Sequence, residues 1–307
     1  YHMKPPLLVG DTIIDTFVVA NANYAGLNNL FIEASPYVGP DPWQLEQFHF
    51  NNIASRALTV SADLLNPLLD VTFDGIHIMD GDIVSAKPFI NIQLKDENVL
   101  RLIDDTADFE LYLRYPGQSN ATKINFNNPW VAFYPATTSE NYAKVELRPD
   151  LTTQDGKYEL LLRARDKSGN ESGYGDSGIY DYKIRFEVVN QSTITNIFNY
   201  PNPFSTSTQW VFTLTGSEIP TEFTIRIMTI SGVVVREITL DELGPIHIGN
   251  NITQFKWNGT DEYGDKLATG AYIYQVITKI NGEDIEHRNT SADKYFKNNF
   301  GKLYIIR

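Results

Sequence analysis

Residues 270–280 read GAYIYQVITKI, and this stretch decides the fold class. Large apolar and aromatic side chains recur at every second position, which is the period of an extended β-strand. Residues 89–94 (FINIQL) alternate in the same way, and residues 156–164 (GKYELLLRA) are typical of a buried strand. Strand-like runs spaced about 10–20 residues apart, with turns between them, predict an all-β chain of sandwich domains.

The chain has 307 residues, of which 42% are hydrophobic and 12% aromatic. That length accommodates two or three small β domains, and that composition is enough to build real hydrophobic cores. A disordered chain is therefore excluded.

Composition also excludes several functions. The chain has no cysteine, which rules out disulfides, cysteine zinc sites, a thiol nucleophile and iron–sulfur clusters. Its net charge of −13 argues against a nucleic-acid partner, whose phosphates require Lys and Arg. No run of about 18 apolar residues predicts a membrane span, and no signal peptide is recognisable.

Loops rich in proline and glycine divide the chain into three predicted domains, residues 1–64, 65–191 and 192–307. Residues 1–3 (YHM) resemble a cloning scar, so we expect a fragment of a longer protein with an incomplete first domain. In that first domain, residues 26–30 (GLNNL) and 46–52 (EQFHFNN) resemble the second half of a cell-adhesion-related bacterial Ig-like (CARDB-like) domain. Residues 26–29 are expected to form a turn, and residues 12–20 a strand.

The second predicted domain contains residues 158–172, YELLLRARDKSGNES. This run resembles the penultimate strand and turn of fibronectin-type and bacterial immunoglobulin-like sandwiches. Asp166 is placed to accept backbone N–H groups of the turn, and Gly169 and Asn170 tolerate positive φ. The predicted fold is therefore all-β, with tandem immunoglobulin-like or fibronectin-type β-sandwich domains.

The third domain contains the most specific pattern: YPNPF at 200–204, WNGTD at 257–261, Gly264, and LATGAYIY at 267–274. Together with KLYIIR at 302–307, the pattern resembles flagellar-hook-capping Ig-like domains and the C-terminal sorting domains of the Bacteroidetes type IX secretion system. The residues carrying the resemblance are Tyr200, Pro201, Asn202, Pro203, Trp257, Gly259, Asp261, Gly264, Gly270, Tyr272 and Lys302. One departure is the long polar stretch 281–301, where sorting domains have a short turn.

The resemblance implies that this domain is a non-catalytic sorting signal, which is recognised after export to the periplasm. The protein would then be displayed at the outer cell surface. Its partners would be the type IX translocon, an outer-membrane shuttle protein and a sorting peptidase. Recognition would use surface shape and the last strand, by pairing along an exposed edge. The two preceding domains would then serve as structural spacers.

Residues 68–75, 81–88 and 94–98 resemble the region that follows the catalytic domain in gingipain-family (C25) proteins. One alternative is therefore the C-terminal part of a secreted cysteine peptidase whose catalytic domain lies elsewhere. The five histidines are scattered and no Gly-x-Ser-x-Gly element is present, so the sequence predicts no enzyme in this chain.

Clusters of carboxylates in loops leave calcium as the one cofactor candidate, since calcium takes several oxygen ligands from loops. The candidate ligands are Asp104, Asp105, Asp108, Asp166, Asp261 and Asp265. None of these clusters has EF-hand spacing, and solvated turns with Asx capping are the competing interpretation.

A second alternative function is a carbohydrate- or protein-binding accessory module, with a polysaccharide as the partner. Trp43, Trp130, Trp210, Trp257 and the tyrosines are the candidate sugar platform. In strand-rich chains such rings are more often core residues or cross-strand pairs.

Overall fold

The structure is a computed structural model that describes residues 10, 12, 14, 16, 24–34, 50–137, 140–173, 181–288, 296–297 and 299–307. Most of the predicted strand at 12–20, and the Trp43 ring, lie outside the described residues. The chain divides into two compact units, Tyr1–Leu65 and Asn66–Arg307.

The first unit contributes a two-stranded antiparallel ribbon. Strand β1 (Gly26–Glu33) pairs with β2 (Ile53–Val60) in an unbroken register from Gly26 opposite Val60 to Glu33 opposite Ile53. The expected turn at 26–29 is wrong, because the ladder to β2 extends over these residues. Most side chains of the ribbon are exposed, and a two-stranded ribbon is marginally stable in isolation.

The second unit begins with a two-sheet sandwich. Its strands are β3 (Leu68–Phe73), β4 (Asp82–Val84), β5 (Ile90–Lys95), β6 (Phe109–Arg114), β7 (Thr122–Lys123), β8 (Val131–Tyr134), β9 (Tyr142–Leu147), β10 (Gly156–Ala164) and β11 (Tyr182–Val188), with a 3₁₀ turn at Thr106–Asp108. The sheet orders are β3-β5-β9-β8 and β4-β11-β10-β6-β7. The β4–β11 pair is parallel and the others are antiparallel.

One hydrophobic core joins these two sheets. Phe73 and Ile92 face inward from the first sheet, and Leu111, Tyr158 and Phe186 from the second. The Phe186 ring lies 5.2 Å from that of Phe73 and stacks on Tyr158 at 5.6 Å. Because alternate residues of both sheets fill the same core, this is the predicted sandwich.

A second sandwich follows in the same unit. Its elements are β12 (Thr193–Tyr200), β13 (Gln209–Leu214), β14 (Glu222–Met228), β15 (Val234–Thr239), α1 (Leu240–Leu243), β16 (Gly249–Ile252), β17 (Gly270–Ile280), β18 (Glu283–Asp284), β19 (Glu286–His287) and β20 (Phe300–Ile305). One sheet has the order β16-β13-β12-β19 and the other β15-β14-β17-β18, with β20 also paired to β17. The predicted boundary at 191/192 lies between β11 and β12.

The second core is rich in aromatic rings. Trp210 and Trp257 are fully buried with ring centroids 6.3 Å apart, and the Tyr274 ring meets Trp210 edge-on at 6.1 Å. In β17 the alternation seen in the sequence becomes a difference in burial, with Tyr272 and Tyr274 inside. The all-β fold class is confirmed, and no helix among the described residues is long and apolar enough to span a bilayer.

The two sandwiches of the second unit meet directly. Ile83 of β4 packs against the second core, and its carbonyl oxygen would lie 2.4 Å from a Cβ added to Gly249 of β16. Gly216 accepts a backbone hydrogen bond from Ala86 at 3.1 Å and donates one to Val189 at 2.9 Å. A buried apolar contact and backbone hydrogen bonds therefore connect the two domains.

Candidate functional site

The sorting-type motifs converge on the last strand. Strand β20 pairs with the first half of β17, with Tyr272 opposite Leu303 and Gly270 opposite Ile305. Leu303 and Ile305 are buried in the second core. The C-terminal strand therefore completes the sandwich rather than extending from it.

Asn202, at the centre of the YPNPF motif, pairs with the backbone of β20. Its side-chain N–H donates to the carbonyl of Lys302 at 2.9 Å, and its side-chain oxygen accepts the N–H of Tyr304 at 3.0 Å. The carboxamide thus makes the two hydrogen bonds that a neighbouring strand would make. An Asp here would lose the donor, and an Ala would lose both bonds.

Phe204 continues this edge contact. Its N–H donates to Tyr304 O at 3.0 Å, and its carbonyl accepts the N–H of Ile306 at 2.9 Å. Its ring is buried 5.6 Å from that of Trp257. The outer edge of β20 is therefore occupied from residue 302 to residue 306, in contrast to the expected exposed edge.

Trp257 and Gly259 belong to a loop that contacts Thr208 and Arg307. The Trp257 indole N–H donates to Thr260 O at 2.9 Å, and its backbone exchanges two 2.9 Å hydrogen bonds with Thr208. Gly259 has φ +75°, and a Cβ there would lie 2.9 Å from the Arg307 guanidinium. That guanidinium donates to the carbonyls of Gly259 and Asn258 at 3.0 and 3.3 Å, so the C-terminal residue is bound by this loop.

Asp261 and Gly264 form the adjacent turn. The Asp261 carboxylate accepts the backbone N–H groups of Tyr263 and Asp265, both at 2.9 Å. Gly264 adopts φ +88°, a conformation that favours glycine. The motif Asp and Gly are thus explained by local turn structure.

The remaining motif residues differ in role. Tyr272 is buried and donates its hydroxyl to Ala268 O at 3.0 Å. Pro201 accepts the Thr208 hydroxyl at 2.8 Å, whereas Pro203 and Lys302 are exposed. Tyr200 is also exposed, and a Cβ on Gly270 would meet open space. The motif therefore contains both residues that stabilise the fold and residues that are exposed on the surface.

Two candidate calcium ligands meet an ammonium group instead. The Lys167 Nζ lies 3.0 Å from carboxylate oxygens of both Asp104 and Asp108, and Asp108 is buried. Burial lowers the pKa of Lys167, but hydrogen bonds and charge attraction from both carboxylates outweigh it and raise the pKa overall. Asp105 caps the 3₁₀ turn by accepting the N–H of Ala107 at 3.0 Å.

Asp166 is buried and organises its turn as predicted. Its carboxylate accepts the backbone N–H groups of Ser168 and Asn170 at 2.7 and 2.8 Å, and Gly169 takes φ +92°. Asp96 lies in no motif of the sequence, yet it is buried and has a carboxylate oxygen within 4.8 Å of one of Asp166. Asp261 and Asp265 belong to the other sandwich, so the six candidates do not form one cluster, and calcium binding stays a prediction.

The described histidines are also dispersed. His77 lies 2.6 Å from Asp70, but both side chains are largely exposed, unlike the buried acid that orients a catalytic imidazole. His247 is half-buried near the junction between the sandwiches, where burial lowers its pKa. The His287 ring packs 4.9 Å from Phe296. His2 and His49 lie outside the described residues.

Comparison with known proteins gives fold-level likeness alone. No protein-family model and no curated protein matches the chain. Dimeric latent PorU from Porphyromonas gingivalis is one similar solved structure, with 15% identity, a TM-score of 0.30, and coverage of 83% of this chain and 22% of that chain. This chain therefore spans about a fifth of the PorU chain.

Two further structures are similar. The C-terminal domain of the Streptococcus agalactiae AgI/II polypeptide BspA has 7% identity, a TM-score of 0.23, and covers 72% of this chain and 98% of that one. The chicken CNTN1 FN1–FN3 domains have 8% identity, a TM-score of 0.24, and cover 76% and 66%. At these values the similarity carries no information about activity or partners.

Proposed function

We propose that this chain is the C-terminal region of a secreted, non-catalytic cell-surface segment whose last sandwich is a type IX sorting signal. The supporting observation is that YPNPF and WNGTD both lie against the last strand, β20, with Asn202 hydrogen-bonded to Tyr304 across 102 residues of sequence. The first sandwich and the ribbon act as structural spacers. Delivery runs through the periplasm to the outer surface.

The recognised surface is the outward face of β20 rather than its edge. Phe300, Lys302 and Tyr304 alternate with buried residues and are exposed. Pairing of a partner strand along residues 302–306 would require displacement of Asn202 and Phe204 from that edge. A partner that contacts aromatic rings and a lysine needs no such rearrangement.

The partners are those implied by the sequence resemblance: a translocon, an outer-membrane shuttle protein and a sorting peptidase. The framework residues Trp257, Gly259 and Asp261 contribute indirectly, because they fix the chain against which the last strand packs. Lys302 contributes directly through its exposed ammonium group.

The test is surface delivery of a secreted reporter fused to the N-terminus of the whole chain, in a bacterium with an active type IX system. We expect the reporter at the surface with the wild-type chain and in the periplasm when residues 300–307 are deleted. Lys302→Ala is expected to reduce delivery, whereas Lys266→Ala, an exposed lysine of the same domain, is the matched control. Unimpaired delivery of the deletion variant would refute the proposal.

A further inference from the structure

Three strands of one sheet of the last sandwich, β16, β13 and β12, expose large apolar and aromatic side chains on their outer face. Phe198, Val211 and Ile252 lie side by side in register across the three strands. Phe198 is 40% exposed, Ile252 65% and Tyr200 67%. Four large side chains, two of them aromatic, therefore form one exposed platform on a sheet.

The geometry of the two rings is set by the strand. Phe198 and Tyr200 are two residues apart on β12, so both project from the same face about 6.6 Å apart along the strand. Val211 and Ile252 extend the apolar surface sideways at the usual spacing of about 4.8 Å between strands. Gln209, directly opposite Tyr200, adds an amide beside the second ring.

The two central strands of this face carry no charged residue, although the protein is strongly charged overall. Carboxylates occur only at the borders of the described sheet, at Glu286 of β19 opposite Thr193 and at Asp82, which accepts a hydrogen bond from Asn250. Residues 188–217, which include all of β12 and β13, contain no Asp, Glu, Lys, Arg or His. The side chains bordering the platform on the described strands are amides and hydroxyls, namely Asn196, Gln209, Thr213 and Asn250. Gln209 donates one N–H to Thr253 O at 2.6 Å, which leaves its side-chain oxygen and second N–H with no protein partner among the described residues.

We infer that this platform binds a neutral polysaccharide. Sugar rings present apolar C–H faces that pack on aromatic rings, and their hydroxyls pair with amides, which donate and accept equally well. Strands β12 and β13 supply no Lys or Arg, which disfavours acidic glycans and anionic lipid surfaces, since both need such cations. A stable protein partner would need about 800 Å² from each side, more than four side chains provide.

This site differs from the sugar platform that the sequence suggested. Trp210 and Trp257 are buried in the core, and Trp130 packs against the first core. Phe198 and Tyr200 are instead exposed together on the outer face of β12. The platform belongs to the sheet that contains β12, whereas β20 pairs with β17 of the other sheet. A binding assay on the purified chain measures the platform without a secretion assay.

The experiment is affinity electrophoresis of the whole chain in gels containing laminarin, xyloglucan or galactomannan, with alginate as an acidic comparison. We expect retardation by at least one neutral polysaccharide and none by alginate. Tyr200→Ala and Phe198→Ala should each weaken binding by 10-fold or more, measured by calorimetry with the matching oligosaccharide. Tyr263→Ala is the matched control, because Tyr263 is 92% exposed outside the platform.

Three results would overturn the inference. Absence of retardation by every neutral polysaccharide is the first, and retardation that both alanine variants leave unchanged is the second. The third is concentration-dependent dimerisation abolished by Tyr200→Ala in light scattering, which would assign the platform to a second copy. Circular dichroism of each variant checks that the sandwich remains folded, and Ile252→Gln provides an independent substitution in the same patch.

Discussion

At the scale of single residues, several polar side chains of the sequence motifs hold the backbone of the fold. Asn202 replaces a strand partner through one carboxamide, and Asp261 holds a turn by accepting two N–H groups. Five of the six carboxylates that the sequence offered as calcium ligands have partners within the protein, namely Asp104, Asp105, Asp108, Asp166 and Asp261. Polar residues with precise partners therefore do not by themselves indicate a binding site.

The Asp80–Arg185 pair gives a prediction at this scale. Asp80 accepts hydrogen bonds from the side chain and the backbone N–H of Arg185, which lower the pKa of Asp80 from 3.8 to about 2. Because the folded pKa is depressed, the stabilisation is present above pH 3.8 and is lost as the pH falls towards 2. Arg185→Gln should move the pKa of Asp80 back towards 3.8, as measured by carboxyl carbon NMR.

The same variant supplies a stability readout. The difference in unfolding free energy between wild type and Arg185→Gln should shrink between pH 5 and pH 2. Titration of Asp80 near pH 3.8 in the wild type, or a difference independent of pH, would contradict this account. Both side chains are exposed, so the effect at neutral pH should be small.

At the scale of elements, the last strand is fixed by close packing as well as by hydrogen bonds. A Cβ on Gly301 would lie 2.1 Å from the Tyr274 ring, and that ring is buried beside Trp210 and Phe296. No side chain larger than glycine fits unless β20 moves away from β17. The close contact between Gly301 and Tyr274 therefore helps to set the register of β20 against β17.

Two glycine substitutions test this packing. Gly301→Ala should destabilise the protein by about 1–3 kcal/mol, the usual range for overpacking, in urea unfolding experiments. Gly270→Ala, at the start of β17, meets open space without a positive φ, so it should change stability by about 0.5 kcal/mol or less. Equal effects of the two substitutions would show that β20 does not pack as described.

At the scale of the whole molecule, the two sandwiches of the second unit are coupled. Ile83 of the first sandwich covers part of the second core, and the Asn250 amide donates to the Asp82 carboxylate at 3.2 Å. Domains joined only by a flexible linker lack such shared burial. We therefore expect residues 66–307 to unfold as one cooperative unit.

Gly249→Val tests this coupling by differential scanning calorimetry of the whole chain. Its side chain would clash with the Ile83 carbonyl and should separate one unfolding transition into two, with the last sandwich melting first. Gly232→Val is the control, because Gly232 also has positive φ but no neighbour within 4 Å. That control should lower the melting temperature through backbone strain of about 1–3 kcal/mol without splitting the transition. Separate transitions for the two sandwiches in the wild-type chain would argue against coupling, and a single transition in Gly249→Val would show that this contact does not carry it.

The amino-acid sequence alone determined the local structure, because strand periodicity and turn chemistry act over a few residues. Residues 156–164 and 270–280 are predicted as strands from the sequence and form β10 and β17 with the same bounds. Tertiary structure alone decided what depends on distant pairs: that Asn202 closes the edge of β20, that Arg307 enters the Gly259 loop, and that Lys167 joins two carboxylates. It also decided which aromatic rings are buried and which, like Phe198 and Tyr200, are exposed on a sheet. Contacts between residues far apart in the chain produce no periodic pattern in the sequence, because they form only when the sheets pack together. They could therefore not be predicted from the sequence.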